Sequence, residues 1–146
     1  MAITISGDTP NFSSATITTG TVTTLTTTTI SDGTNSTSAT NCIQGSAKAW
    51  VNFGYVSGSI TNRASYNVSS IVRNASGDYT VNFTNALVDA NYSLVGTASY
   101  GSSAAPGRVV GAYPIAGAYL ASSIRVASGY YNAFEDEVYV NLAIFR

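Results

Sequence analysis

The chain has 146 residues, a formal net charge of -1, no histidine and a single cysteine, and only 9% of its residues are charged, against about 25% in an average globular domain. Lys and Arg total 6 and form no basic run, so the electrostatic footprint of a nucleic-acid binder is missing. Ser-His-Asp and Cys-His catalytic sets, zinc sites of His/Cys type and an intrachain disulfide cannot be assembled without histidine and with Cys42 alone.

In chain order, residues 1–45 are dominated by Thr, Ser and Gly, with Ile3, Ile5, Phe12, Ile17, Val22, Leu25 and Ile30 as the principal large apolar side chains. The run from Thr21 to Ile30 is almost entirely β-branched, which favours extended backbone over helix. Residues 1–45 therefore read as an extended β/coil leader. So few apolar anchors do not offset the entropy of ordering it, and other copies of the same chain, pairing open strand edges, are expected to hold it. No basic segment precedes an apolar one and no window nears the roughly 20 apolar residues of a membrane span, so synthesis and first folding are expected in a cytoplasm, where Cys42 stays reduced. Six matches to the glycosylation pattern, at Asn11, Asn35, Asn67, Asn74, Asn82 and Asn91, follow from the abundance of Asn, Ser and Thr. Asn41 and Cys42 mark the expected boundary, with Cys42 a small buried side chain.

From residue 46 onward the pattern is that of a compact antiparallel β-sandwich head, jelly-roll-like, in short alternating strands. Ala47 to Phe53 reads as the first. Arg63 to Asn74 and Tyr79 to Thr84 flank Ala75-Ser-Gly-Asp78, a β-hairpin in which Gly77 supplies the positive φ of the turn and Asp78 bonds its own backbone. Tyr79, Val81 and Phe83 share one face of the second arm. Tyr92 to Tyr100, Arg108 to Tyr113 and Ser122 to Ala127 follow. Glu137 to Phe145 alternates Val138, Val140, Leu142 and Ile144 against Tyr139, Asn141, Ala143 and Phe145; with both faces apolar, it is central to the sandwich or buried between subunits. No apolar i, i+3, i+4, i+7 pattern lasts ten residues, so no long helix is expected. Trp50, Phe53, Tyr79, Val81, Phe83, Val138, Val140, Leu142 and Ile144 are the candidate core or oligomer contacts.

Candidate binding residues concentrate in 99–136, where Tyr100, Arg108, Tyr113, Tyr119, Arg125, Tyr130, Tyr131 and Phe134 stand among Ser, Gly and Ala. Tyr offers a rigid face for stacking on sugar C–H groups and a hydroxyl for hydrogen bonding; aromatics are equally enriched at subunit contacts. Glu135, Asp136 and Glu137 are the one acidic cluster. Repeated about a symmetry axis they would suit a cation such as calcium, but they lack the spacing of a calcium loop and read as a solvated or salt-bridged loop, with no metal and no cofactor expected. Asp8, Asp32, Asp78 and Asp89 are each explained as turn or loop residues, which leaves no carboxylate pair of the kind a glycan hydrolase holds across a cleft. The protein is not expected to be an enzyme.

The stretches Ala47-Lys-Ala-Trp-Val-Asn-Phe53, Arg63-Ala-Ser-Tyr-Asn-Val-Ser-Ser-Ile71, Gly77-Asp-Tyr-Thr-Val-Asn-Phe83, Asp89-Ala-Asn-Tyr92 and Val140-Asn-Leu-Ala-Ile-Phe145 together resemble a family of small phage tail-fibre and tail-fibre-like proteins of cyanobacterial and other aquatic phages. The resemblance covers roughly residues 47–96 and 138–146. It implies a homotrimer with a leader joined to other virion proteins and a distal head. The segment from Phe53 to Arg63 departs from the family's Gly-rich turn, and residues 97–137, where partner specificity would lie, follow no family pattern. The expected function is that of a virion structural protein in the tail or baseplate, a short trimeric fibre whose head contacts host-surface glycan. The alternative is a capsid decoration or cement protein stabilising the shell. A lectin-like module unrelated to phage is the third reading. Partners are other copies of the chain and virion proteins, with no nucleic acid and no membrane insertion.

Overall fold

The computed structural model describes residues 29–101 and 107–146; the first 28 residues of the leader expected over 1–45 lie outside them. Every ladder is antiparallel, as the alternating pattern predicts. β1 (Thr29–Ser31) and β2 (Ser36–Ser38) form a small exposed hairpin, whose turn is organised by Asp32, accepting from the amides of Thr34 and Asn35 at 2.9 and 2.7 Å. The first correction follows at once: residues 39–45, expected to be extended, form α1 (Ala39–Gly45). Ser38 Oγ accepts from the Asn41 amide at 3.0 Å, the capping bond that starts a helix, and the Lys48 ammonium donates to the Ile43 and Ser46 carbonyls at its far end. Two turns with no buried residue leave no apolar periodicity to find. Cys42, expected to be buried, is exposed on α1.

The first strand of the head, β3 (Ala47–Val56), runs longer than expected and turns through Ser57 (φ 52°) and Gly58 (φ 84°) into β4 (Ser59–Tyr66). Two successive positive-φ residues make the tight hairpin turn that matches strand twist. The single arm expected from Arg63 to Asn74 is two strands, because Asn67 (φ 55°) breaks it. β4 stays beside β3 while β5 (Val68–Ala75) joins a second sheet through β6 (Asp78–Phe83). Asn67 holds that corner: its Nδ2 donates to the Lys48 and Asn85 carbonyls at 3.0 and 3.1 Å, and its Oδ1 accepts from the Asn85 amide at 2.8 Å. The hairpin predicted at 75–78 is present, with Gly77 at φ 64°.

The remaining strands are β7 (Ser93–Ser99), β8 (Arg108–Ala112), β9 (Tyr119–Leu120), β10 (Ser123–Tyr130), β11 (Ala133–Phe134) and β12 (Tyr139–Phe145). One sheet has the order β4-β3-β12-β7; in the other β10 pairs with β6, β8, β9 and β11, and β5 lies beyond β6. Apolar side chains from both sheets meet in one cluster: Ala49, Val51, Phe53, Val140, Leu142 and Ile144 from the first, Tyr79, Val81, Phe83, Ile124 and Val126 from the second, with Tyr92. Phe53 and Tyr79 touch edge to face at 5.2 Å between centroids. β12 lies between β3 and β7, an inner strand of its sheet. Two of the candidate core residues differ: Val138 is half-buried and Trp50, 40% exposed, lies on the outer face of β3, because the inner positions of that strand fall to Ala49, Val51 and Phe53. No helix among the described residues is long and apolar enough to cross a membrane.

Candidate functional site

Three arginines, in four ion pairs, anchor most of the 99–136 aromatics. Arg108, at the start of β8 and in register with Tyr130, donates through Nη1 to Glu137 Oε1 at 2.7 Å and to Glu135 Oε2. Its guanidinium lies 5.0 Å from the Tyr100 ring centroid and 4.8 Å from that of Tyr130, so the cation is held between two aromatic faces and two carboxylates. Tyr130 meets Tyr131 edge to face at 4.4 Å. Tyr131, in the left-handed region at φ 54°, is 83% exposed. A second group lies at the other parity of β10, where Arg125 forms a two-pronged pair with Asp78 at 2.8 and 2.5 Å and stacks on Tyr113 at 4.4 Å, whose ring meets Phe134 at 5.2 Å. Asp136 accepts from Arg73 Nε and Nη2, from the Tyr79 hydroxyl at 2.5 Å and from the Gly77 amide at 2.9 Å.

The acidic turn is therefore bound into the fold. The backbone fits only because a side chain is missing where it passes: a Cβ on Gly77 would meet Ser128 O and the Glu135 amide, and one on Gly54 would meet the Val138 carbonyl. Glu137 is wholly buried; burial pushes its carboxyl up against the pull of Arg108, and the neighbouring Glu135 and Asp136 push the same way. Burial also raises Asp136, but the bonds from Arg73, Tyr79 and Gly77 outweigh it and hold the group below the usual carboxylate range. The bond from Arg125 lowers Asp78. Glu137 Oε2 and Arg108 Nε are buried without a protein partner, a polar pair with room in its bonding for ordered water.

The structure brings Tyr100, Arg108, Tyr130 and Tyr131 into one group and Tyr113, Arg125 and Phe134 into the other. Tyr119 belongs to neither: it packs against Tyr92 at 5.1 Å at the edge of the core. Asp78, expected as a turn residue bonding its own backbone, is instead a buried partner of Arg125 and Asn74. Asp136 and Arg73 as a bonded unit were missed, since 63 residues separate them and nothing local signals the pair. Asp89 keeps its loop bond to the Asn91 amide at 2.8 Å and adds a pair with Arg146. Each carboxylate of the acidic turn is taken by an arginine, and no group of three or more His, Cys, Asp or Glu is placed to hold a metal among the described residues. What the two groups offer is exposed aromatic side chains, Tyr100 and Tyr131 in one and Phe134 in the other, over arginines each matched by at least one carboxylate. No family model matches this chain, and no curated protein or solved structure matches it either.

Proposed function

We propose that the chain is a virion structural protein, a short homotrimeric phage tail fibre whose β-sandwich head contacts a host-surface glycan. The observation that carries the reading is Tyr131, 83% exposed beside Tyr130, which with Tyr100 flanks Arg108 on a base fixed by Glu135 and Glu137. Aromatic faces held in place stack on the C–H faces of sugar rings at small entropic cost. The arginines beneath them are already neutralised, so the surface suits an uncharged saccharide better than a phosphate or another anion. A shallow platform gives weak single sites, and several copies on one fibre raise affinity through effective concentration. The virion setting and the threefold symmetry come from the resemblance of the head motifs, with residues 1–45 joining the rest of the particle.

The test uses purified full-length chain on immobilised neutral bacterial surface polysaccharides, with anionic, phosphate- or uronate-bearing polysaccharides as the contrast expected to bind more weakly. Saturable binding is expected, weakened at least about tenfold in Tyr131→Ala, equivalent to about 1.4 kcal/mol. Wild-type binding unchanged in Tyr131→Ala, or no binding by a folded protein, refutes the site.

A further inference from the structure

Among the described residues nothing covers the outer face of the β4-β3-β12-β7 sheet, which is apolar along one line. The registers place Tyr66 beside Trp50, Trp50 beside Ala143, and Ala143 beside Val95, a row across four strands about 14 Å wide at about 4.8 Å per strand. Tyr66 is 58% exposed at one end and Val95 59% exposed at the other. A shallow recess of about 220 Å³ lies by Val95, lined also by Thr97, Asn141 and Ala143. The next row is Ala64, Asn52, Asn141 and Thr97, short neutral side chains. No Asp or Glu lies in these four strands, and Arg63 is pinned by Asn52, the Val138 carbonyl and the Tyr139 ring.

We propose that this face is where a second copy of the chain packs, with Tyr66 of one copy seated in the recess beside Val95 of the next. The knob and the recess stand at opposite ends of one row, so every copy supplies both halves of the contact, as closed homo-oligomers require. The Tyr66–Val95 row itself is uncharged, the two cations of these strands, Arg63 and Lys48, being bonded to neutral groups off the row, and with no carboxylate on the four strands a basic partner finds no complement. Four strands of seven residues at about 3.4 Å each present roughly 450 Å² per copy in projection. Two apposed faces thus cover on the order of 900 Å² in projection and more in accessible surface, near the 1,000 Å² or so of a specific contact. The inference deepens the homo-oligomeric part of the proposed function and rests on that part alone; glycan binding is read separately, so each can fail without the other.

The experiment is the solution mass of the full chain by sedimentation from low to high micromolar concentration. It is accompanied by acrylamide quenching of Trp50, the chain's one tryptophan, which needs no mutation. A dimer or trimer is expected, with Trp50 quenched at least about threefold less in the oligomer than at dilution. Val95→Lys and Tyr66→Ser should each weaken association at least tenfold while keeping the wild-type circular dichroism. Val72→Lys, on the exposed side of the other sheet, should leave it unchanged. A chain monomeric throughout overturns the proposal, as does an oligomer that Val95→Lys and Tyr66→Ser leave intact. A monomer with Trp50 already shielded would give the face to residues 1–28 instead, and the same quenching relieved only by added saccharide would make it a second glycan platform; either result also overturns it.

Discussion

Replacing Asp136 with alanine removes one acceptor on which three donors converge. Arg73 retains access to solvent, so its loss contributes little. The other two donors do not: the Tyr79 hydroxyl, 2.5 Å away, belongs to a wholly buried side chain, and the Gly77 amide, 2.9 Å away, to a buried turn. A hydrogen bond to a charged acceptor contributes about 1.5–3 kcal/mol, and a buried donor left alone costs about 1–3 kcal/mol. Two such donors lost at one atom are not additive, and water can enter beside a carboxylate whose side chain is 19% exposed, so the expected cost is about 3 kcal/mol. For a folded unit of roughly one hundred residues this lowers Tm by about 12 °C. Thermal and urea unfolding followed by circular dichroism measure it. Asp136→Asn keeps an oxygen for Tyr79 or Gly77 and should cost about 1 kcal/mol. If Asp136→Ala unfolds within about 1 kcal/mol of wild type, the three bonds do not anchor the turn. If Asn costs as much as Ala, the charge opposite Arg73 is the anchor and the two neutral donors are not.

The buried Glu137 sets the pH dependence on the acid side of neutrality. Because its folded carboxyl titrates above the ordinary 4.5, the folded state binds the extra proton, so stability rises as pH falls through the folded value and is complete below 4.5. Glu137→Gln should abolish that rise, and urea titrations at a series of pH values read it directly. Asp78 and Asp136 act in the opposite sense: held below the ordinary 3.8, they stabilise above it, and that contribution disappears as pH falls through their folded values. Asn67→Ala loses three side-chain bonds and leaves at φ 55° a residue without the short polar side chain that makes the left-handed region tolerable. A loss of about 3 kcal/mol is expected from the urea midpoint, and a change under 1 kcal/mol would deny Asn67 its part in turning the chain between sheets.

Period-two alternation was enough to find the long strands, since β3, β6, β10 and β12 each bury one side against the same cluster. It missed what is decided by one residue's backbone: the Ser57–Gly58 turn inside a seemingly polar stretch, and the break at Asn67 in what looked like one continuous arm. Trp50 shows a different limit. Its size argued for burial, but its parity with the outer positions of β3 decided the matter, and only pairing with Ala49, Val51 and Phe53 on the inside reveals which parity is inner. The aromatic cluster was visible as composition in 99–136, yet its division into two groups follows from the β8–β10 register, which sets Arg108 against Tyr130 and leaves Tyr119 at the other end of β10. Asp32 and Asp89 keep the turn and loop bonds read locally, but the arginine partners of Asp78, Glu135, Asp136 and Glu137 were not legible, because they lie 27 to 63 residues away in the chain.

The position of β12 has a consequence for how the molecule comes into being. It occupies the middle of its sheet between β3 and β7, yet residues 139–145 follow both of these strands, and the other described strands, in order of synthesis. On the ribosome β3 and β7 must wait as unzipped edges, one for over eighty residues of further translation, and the loop closures that finally join them span most of the chain. Folding of this kind is slow and all-or-none. A nascent chain halted before Tyr139 lacks the inner strand and leaves two facing edges open to whatever strand arrives first, which on a polysome is the matching segment of a neighbouring copy.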